Sequence, residues 1–366
     1  MKTLSHSKSP VISQPTLLAS AVPMQSRAES LRGSIKRILL AGGLAAAAAL
    51  PAWAASGTDG AVAPDSTAIH QWRALMAQMA TPEEGCFHAS YPSTVVEKVD
   101  CSTDHQPGIH PVHRKPSGDT PEVVGNGDDY VAEATGLLTW AEGIFAISGV
   151  KSEKSVGGSG GILGSNEYSV QLNTNIRETT DACKGHSGCT VWQQFVYATD
   201  YVKSGTAGVF MQYWLINWGS SACPSGWITD APDCYKNSLI EPATDISITD
   251  LGDVALTANA TAGGNDKVEF YYGSDYWWVT EPDSVLDISS VWNKVEFNVV
   301  GDAGGSEADF NSGSSITPSI YLADGSTAAP KCIANDGTTG ETNNLNLGGC
   351  SVSGGSYPSM QFSESN

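Results

Sequence analysis

The chain is poor in positive charge. Its 366 residues hold 19 lysines and arginines against 39 aspartates and glutamates, a net charge of −20. Nucleic acid and anionic membrane both call for a basic surface, so neither is expected as a partner. Nucleotide signatures are missing too: there is no Walker or dinucleotide fingerprint, and no glycine run opens a helix. No G-x-S-x-G elbow occurs. From Asn166 onward a single histidine is present, His186, which leaves a serine nucleophile short of a base. No C-x-x-C pair exists, so zinc is not expected. Three histidines, His105, His110 and His113, fall within HQPGIHPVH, but Pro107, Gly108 and Pro111 make that stretch an irregular loop. No metal and no cofactor are expected.

Long apolar runs are also scarce. The run Ile38–Leu50 is too short to span a bilayer. It follows Arg32, Lys36 and Arg37 and ends in Pro51-Ala52-Trp53-Ala54, the pattern of a basic region, an apolar core and an A-x-A cleavage site. Residues 1–54 therefore read as a signal-peptide region, with Met24 as an alternative start, and the expected location is secreted or periplasmic. Removing them takes away six basic residues and one acidic residue, leaving 13 and 38 and a net charge of −25. No membrane association is expected of the mature form.

All eight cysteines follow the cleavage site. An even number in an exported chain reads as disulfides. Eight cysteines allow 105 pairings. The simplest joins neighbours: Cys86–Cys101, Cys183–Cys189, Cys223–Cys234 and Cys332–Cys350. Each pair brackets a loop bearing glycine, proline or aspartate.

Residues 55–125 contain prolines and histidines and have weak periodicity, and Tyr130–Ala146 mixes strand and helix signals. Thr67–Met79 has helical spacing of Ile69, Trp72, Leu75, Met76 and Met79. The run GGSGG (157–161) reads as a flexible link. The expectation is an irregular, propeptide-like N-terminal segment ending near residue 165. From 166 to 366 short alternating runs recur between turns such as Gly263-Gly264-Asn265-Asp266 and Asp324-Gly325, and the fold class is all-β. A two-sheet antiparallel sandwich is expected, with Val295, Phe297, Val299, Met211, Tyr213 and Leu215 between the sheets.

Four of these runs share an unusual face. In a strand, residues i, i+2 and i+4 point one way. Tyr168–Asn175 puts Gln171, Asn173 and Asn175 together. Val209–Trp218 puts Gln212, Trp214, Ile216 and Trp218 together. Val191–Tyr197 carries Trp192 and Gln194, and Lys294–Val300 carries Lys294, Glu296 and Asn298 opposite Val295, Phe297 and Val299. Amides mixed with tryptophans suit a surface that holds an extended polar ligand. With thiols oxidised and triads excluded, carboxylate chemistry remains, from Glu269, Glu296, Asp302 or Glu307.

Three stretches carry a resemblance: Val209–Gly219 (VFMQYWLINWG), Ile246–Ala260 (ISITDLGDVALTANA) and Val295–Gly301 (VEFNVVG). Together they resemble the glutamic peptidases called eqolisins and, more distantly, neprosin. The resemblance spans roughly residues 166–325 and implies a concanavalin-like sandwich. It also implies a catalytic dyad of Gln212 and Glu296, with Glu296-Phe297-Asn298-Val299 matching the acid–aromatic–x–Val strand. Trp192, Gln194, Trp214, Gln171 and Asn173 would then line the substrate groove. In this chain a cysteine-bracketed loop, Cys223–Cys234, replaces the acidic and aromatic stretch that usually follows the Gln strand. The expected activity is acid endopeptidase action on a polypeptide. The alternative is a carbohydrate-binding module or glycanase using Trp192, Trp214, Trp218, Tyr276, Trp277 and Trp278 as platforms, with Glu269 as a second carboxyl. A third class is a structural β protein with no site.

Overall fold

A computed structural model describes residues 66–77, 79, 83–103, 129–219 and 222–366. Residues 1–54, read above as a signal peptide, and His105, His110 and His113 lie outside the described residues. One helix, α1 (Ser66–Ala77), precedes the strands. The first group of strands is β1 (Gly85–Ser90), β2 (Glu97–Val99), β3 (Tyr130–Glu133), β4 (Trp140–Ser148), β5 (Glu153–Gly161), β6 (Gly164–Ser165) and β7 (Tyr168–Asn173). Next come β8 (Thr190–Lys203), β9 (Thr206–Ile216), β10 (Ile228–Asp230), β11 (Asp233–Asn237), β12 (Glu241–Thr244), β13 (Val254–Asn259), β14 (Asn265–Tyr272) and β15 (Asp275–Pro282). The last are β16 (Lys294–Gly301), β17 (Ala303–Phe310), β18 (Ser315–Ala323), β19 (Lys331–Ala334), β20 (Thr342–Asn343), β21 (Asn346–Ser353) and β22 (Ser359–Ser365).

Two large sheets form a sandwich. The first runs β2-β1-β15-β14-β13-β4-β18-β22-β21; the second runs β10-β11-β9-β8-β7-β16-β3-β19, with β12 also on β9. A smaller sheet, β20-β17-β5-β6, accompanies them. The alternation read from sequence sets what lies between the large sheets. Met211, Tyr213 and Leu215 of β9, and Val295, Phe297 and Val299 of β16, are all buried in the central core. Ring stacking couples the sheets. Phe297 of β16 lies on Phe145 of β4 with centroids 4.5 Å apart, and Tyr197 of β8 lies on Phe270 of β14 at 4.1 Å.

The sandwich does not begin at Asn166. Strand β4 sits between β13 and β18 in the first sheet, and β3 pairs with β16 in the second. The boundary expected near residue 165 therefore falls inside the sheets, and removing everything up to residue 160 would take β1, β3 and β4 with it. Helix α1 forms as its spacing predicts. Its Trp72 and Met76 pack on the outer face of the first sheet against Phe87, Tyr271, Tyr276 and Trp278. The GGSGG run is not a link. It is part of β5, which pairs with β17, where Gly161 stands opposite Ala303.

All four neighbour disulfides are present: Cys86–Cys101, Cys183–Cys189, Cys223–Cys234 and Cys332–Cys350. Such bonds persist in oxidising surroundings. Among the described residues no helix is long and apolar enough to cross a membrane.

One glycine is fixed by the inter-sheet stacking. A methyl group at Gly143 would fall 2.2 Å from the Phe297 ring. Gly143→Ala should displace Phe297 from Phe145 and cost about 1–3 kcal/mol, the usual range for overpacking. Urea unfolding should show a lower midpoint at unchanged slope; a midpoint equal to that of the parent would contradict this packing.

Candidate functional site

The second sheet turns its amides away from the inter-sheet core, and the register lines them up. Glu296 of β16 stands opposite Asn173 of β7, Asn173 opposite Gln194 of β8, Gln194 opposite Gln212 of β9, and Gln212 opposite Asn237 of β11. One carboxylate and four amides thus form a single row across five strands. Period-two alternation put each of these side chains on this face; the strand order made the row.

The row is not a solvated groove. Glu296, Asn173, Gln194 and Gln212 are each no more than 2% exposed, and Trp192 and Trp214 are fully buried. Buried polar groups need partners, and here they find one another. Gln212 Nε2 donates to Asn237 Oδ1 at 2.9 Å, and Asn237 Nδ2 donates to Tyr201 Oη at 2.7 Å. Trp214 Nε1 donates to Gln212 Oε1 at 2.9 Å and to Gln194 Oε1 at 3.3 Å. Gln171 Oε1 accepts from Gln194 Nε2 at 3.0 Å and from Asn173 Nδ2 at 3.3 Å. Gln171 Nε2 donates on to Ser169 Oγ at 3.0 Å.

Glu296 closes the row at its other end. The backbone N–H and the hydroxyl of Thr338 both donate to its Oε2, at 2.5 and 2.7 Å. Its Oε1 has no hydrogen-bond partner among the described residues, and neither has Oδ1 of its register partner Asn173. Beside Glu296 a cavity of about 110 Å³ opens, lined also by Val131, Asn175, Arg177, Lys294 and Thr338. Lys294 Nζ lies 2.8 Å from Asp336 and 3.8 Å from Glu133.

Two acids near Glu296 were not legible beforehand. A methyl group at Gly337 would lie 2.5 Å from Asp129 Oδ1 and 2.7 Å from Glu296 Oε1, so these oxygens are no more than 5.2 Å apart. Glu341 is buried nearby, and burial followed by the charge of Glu296 raises its carboxyl to about 8. Asp129 comes just before β3, at the end of the proline- and histidine-rich stretch that was read as irregular. Its signal was the acid pair Asp128-Asp129 ahead of an apolar alternation.

The residues read as one dyad do not converge. Gln212 and Glu296 share the face but stand three strand spacings apart, about 14 Å at 4.7–4.9 Å per spacing. The amide of Gln212 is directed to Asn237, on the side away from Glu296. Asn173 is the adjacent amide, and Gln194 is next, at about 10 Å between Cα atoms. Asn175 is a backbone clamp: its side chain holds Val291 O and the N–H groups of Asn293 and Lys294. The sugar platforms named from sequence are not available, because Trp192, Trp214, Tyr276, Trp277 and Trp278 are buried. Trp218 is occupied by His186, stacked at 3.3 Å. Glu269 is in the other sheet and bonds Lys267, Asn259 and Tyr276. Among the described residues no group of three or more His, Cys, Asp or Glu side chains is placed to hold a metal ion.

No family model matches the chain, and no curated protein does. A solved structure of scytalido-glutamic peptidase with a peptide-based transition-state analogue is similar over 65% of this chain and 98% of its own, at 13% identity and a TM-score of 0.26. A likeness of that size carries no argument about chemistry.

Burial raises carboxyl groups across the molecule. Glu142 moves from 4.5 to about 7, Glu167, Glu241 and Glu341 to about 8, and Glu153 to about 9, with desolvation as the main cause in each. These groups keep protons in the fold that the unfolded chain releases above about 4.5. Their contribution is complete below that pH and is lost as pH rises through 7 to 9. The urea midpoint should therefore be highest near pH 4 and fall towards pH 8, and Glu341→Gln should flatten the decline. A midpoint higher at pH 8 than at pH 4 would exclude this account.

Proposed function

We propose that the protein is a secreted acid endopeptidase of the glutamic type, with Glu296 activating a water on a peptide bond. The carrying observation is the state of Glu296. It is a buried carboxylate with one oxygen fixed by two Thr338 donors and the other unpartnered. It lies beside a cavity and at the end of a row of amides. A base needs a defined orientation, and buried unpaired polar atoms call for a reason. Glu296 would take the proton of water as the oxygen attacks the carbonyl carbon, then return a proton to the leaving amine. An amide N–H would stabilise the oxyanion between those steps.

The register favours a different amide from the one the resemblance implied. In the row Asn173 stands next to Glu296 and Gln194 next after it; Gln212 is a spacing further. We assign the oxyanion role to Gln194, with Asn173, Gln171, Trp192 and Trp214 holding its geometry, and give Gln212 a supporting place in the same network. The substrate is a polypeptide.

Glycan cleavage at this site would have a second carboxyl in Asp129, whose Oδ1 is no more than 5.2 Å from Glu296 Oε1. Both carboxyls are buried, so a sugar chain has no open face from which to reach the pair.

The test is digestion of denatured casein by the purified exported protein between pH 3 and 6. Glu296→Gln should abolish cleavage while the protein stays folded. Gln194→Ala should lower kcat by about 10²–10³ with KM nearly unchanged, the usual loss for one oxyanion donor. Gln212→Ala should have a smaller effect on kcat. Parent-like digestion by Glu296→Gln would end the peptidase reading; a Gln212→Ala loss larger than that of Gln194→Ala would return the amide role to Gln212.

A further inference from the structure

The outer face of the first sheet carries a second cavity, far larger than the one at Glu296. It is a trough of about 710 Å³ between α1 and the β21–β22 turn. Its floor is β4 and β18, where Trp140 pairs with Ala323 and Glu142 pairs with Tyr321 across the strands. Arg73 of α1 forms one wall, and Tyr357 forms the other. Tyr357 is 62% exposed, and its ring lies 5.7 Å from that of Trp140 at 59°.

We infer that this trough binds a neutral glycan chain, with Trp140, Tyr321 and Tyr357 as stacking surfaces and Glu142 and Arg73 as hydroxyl partners. The volume falls in the usual range for a binding pocket, and the lining combines aromatic surface with few polar groups, as such pockets do. The polar pair decides the ligand class. Arg73 opposes a cation in the trough, and Glu142, once ionised, opposes an anion. An acceptor and a donor side by side match a ligand that offers hydroxyls, and flat aromatic rings match the apolar faces of pyranose rings. Each group has capacity to spare. Glu142 accepts from Thr257 at 3.4 Å, and Arg73, whose Nη2 donates to the carbonyls of Asp253 and Gly273 at 3.3 Å, keeps Nε without a partner among the described residues. A peptide is served less well. The floor is the face of a sheet, not an edge, so it offers no backbone ladder to an extended chain.

The trough binds and does not cleave. Glycoside hydrolysis needs two carboxyls facing one bond. Glu269, the nearest acid in register, is separated from Glu142 by Thr257 and is fully buried beneath Lys267, Asn259 and Tyr276. This inference does not rest on the peptidase reading, since no residue is shared between the two sites.

The experiment is isothermal titration of the purified exported protein with cellohexaose, xylohexaose and chitohexaose, and with hexalysine as the charged comparison. At least one sugar should bind. Trp140→Ala and Tyr357→Ala should each weaken it about tenfold, the loss of one aromatic contact. Tyr357 lies on an exposed turn, so its variant should stay folded, as circular dichroism will check. Casein digestion by Tyr357→Ala should equal that of the parent. Absence of heat with all three sugars, parent-like affinity in both variants, or binding of hexalysine in place of the sugars would overturn the inference.

Discussion

Burial of the second sheet on both faces is the constraint from which the rest follows. A sheet with one wet face can leave amides and acids to water. Here Gln171, Asn173, Gln194, Gln212 and Glu296 have no such outlet. An unpaired buried group costs about 1–3 kcal/mol, so the side chains must satisfy one another. The result is a chain of bonds from Tyr201 through Asn237, Gln212, Trp214, Gln194 and Gln171 to Ser169. Networks of this kind hold their members in one arrangement, because moving one group breaks bonds at its neighbours. Against that pressure the unpartnered Oε1 of Glu296 and Oδ1 of Asn173, opposite each other in register, are the exceptions.

Acid surroundings suit this construction for two reasons that act in the same direction. Protonated carboxyls inside the fold lose their stabilising effect as pH rises. The chain has far more acids than bases, so self-repulsion grows as the exposed ones ionise, in a lower range than the buried ones. Four disulfides limit how far the unfolded chain can expand. A neutral or alkaline medium works against both the interior and the surface.

Alternation made the faces legible, because a strand has only two sides and the apolar residues mark one of them. Strand order was not legible. Gln212 and Glu296 were correctly placed on one face, yet nothing in their sequence interval says that β7 and β8 lie between β9 and β16. The disulfides were legible because each closes a short local loop. Asp129 was missed because its partner Glu296 lies 167 residues away in the chain and meets it only through β3. The GGSGG run was misread for a compositional reason: glycines that permit flexibility also permit close backbone approach. Trp192 and Trp214 were expected on a groove and are beneath its surface.

The position of Gly337 joins these points. Its missing side chain lets the 335–341 segment come down onto Glu296 and Asp129, and this proximity delivers the Thr338 donors to Oε2. A carboxylate held at one oxygen presents the other in a fixed direction. That oxygen lies beside Gly337 and Asp129, while β16 sets Glu296 opposite Asn173 in register. A side chain at 337 would separate the segment from the acid and leave both oxygens to find partners independently. The backbone packing of this one residue therefore sets how closely Asp129 and the Thr338 donors approach Glu296.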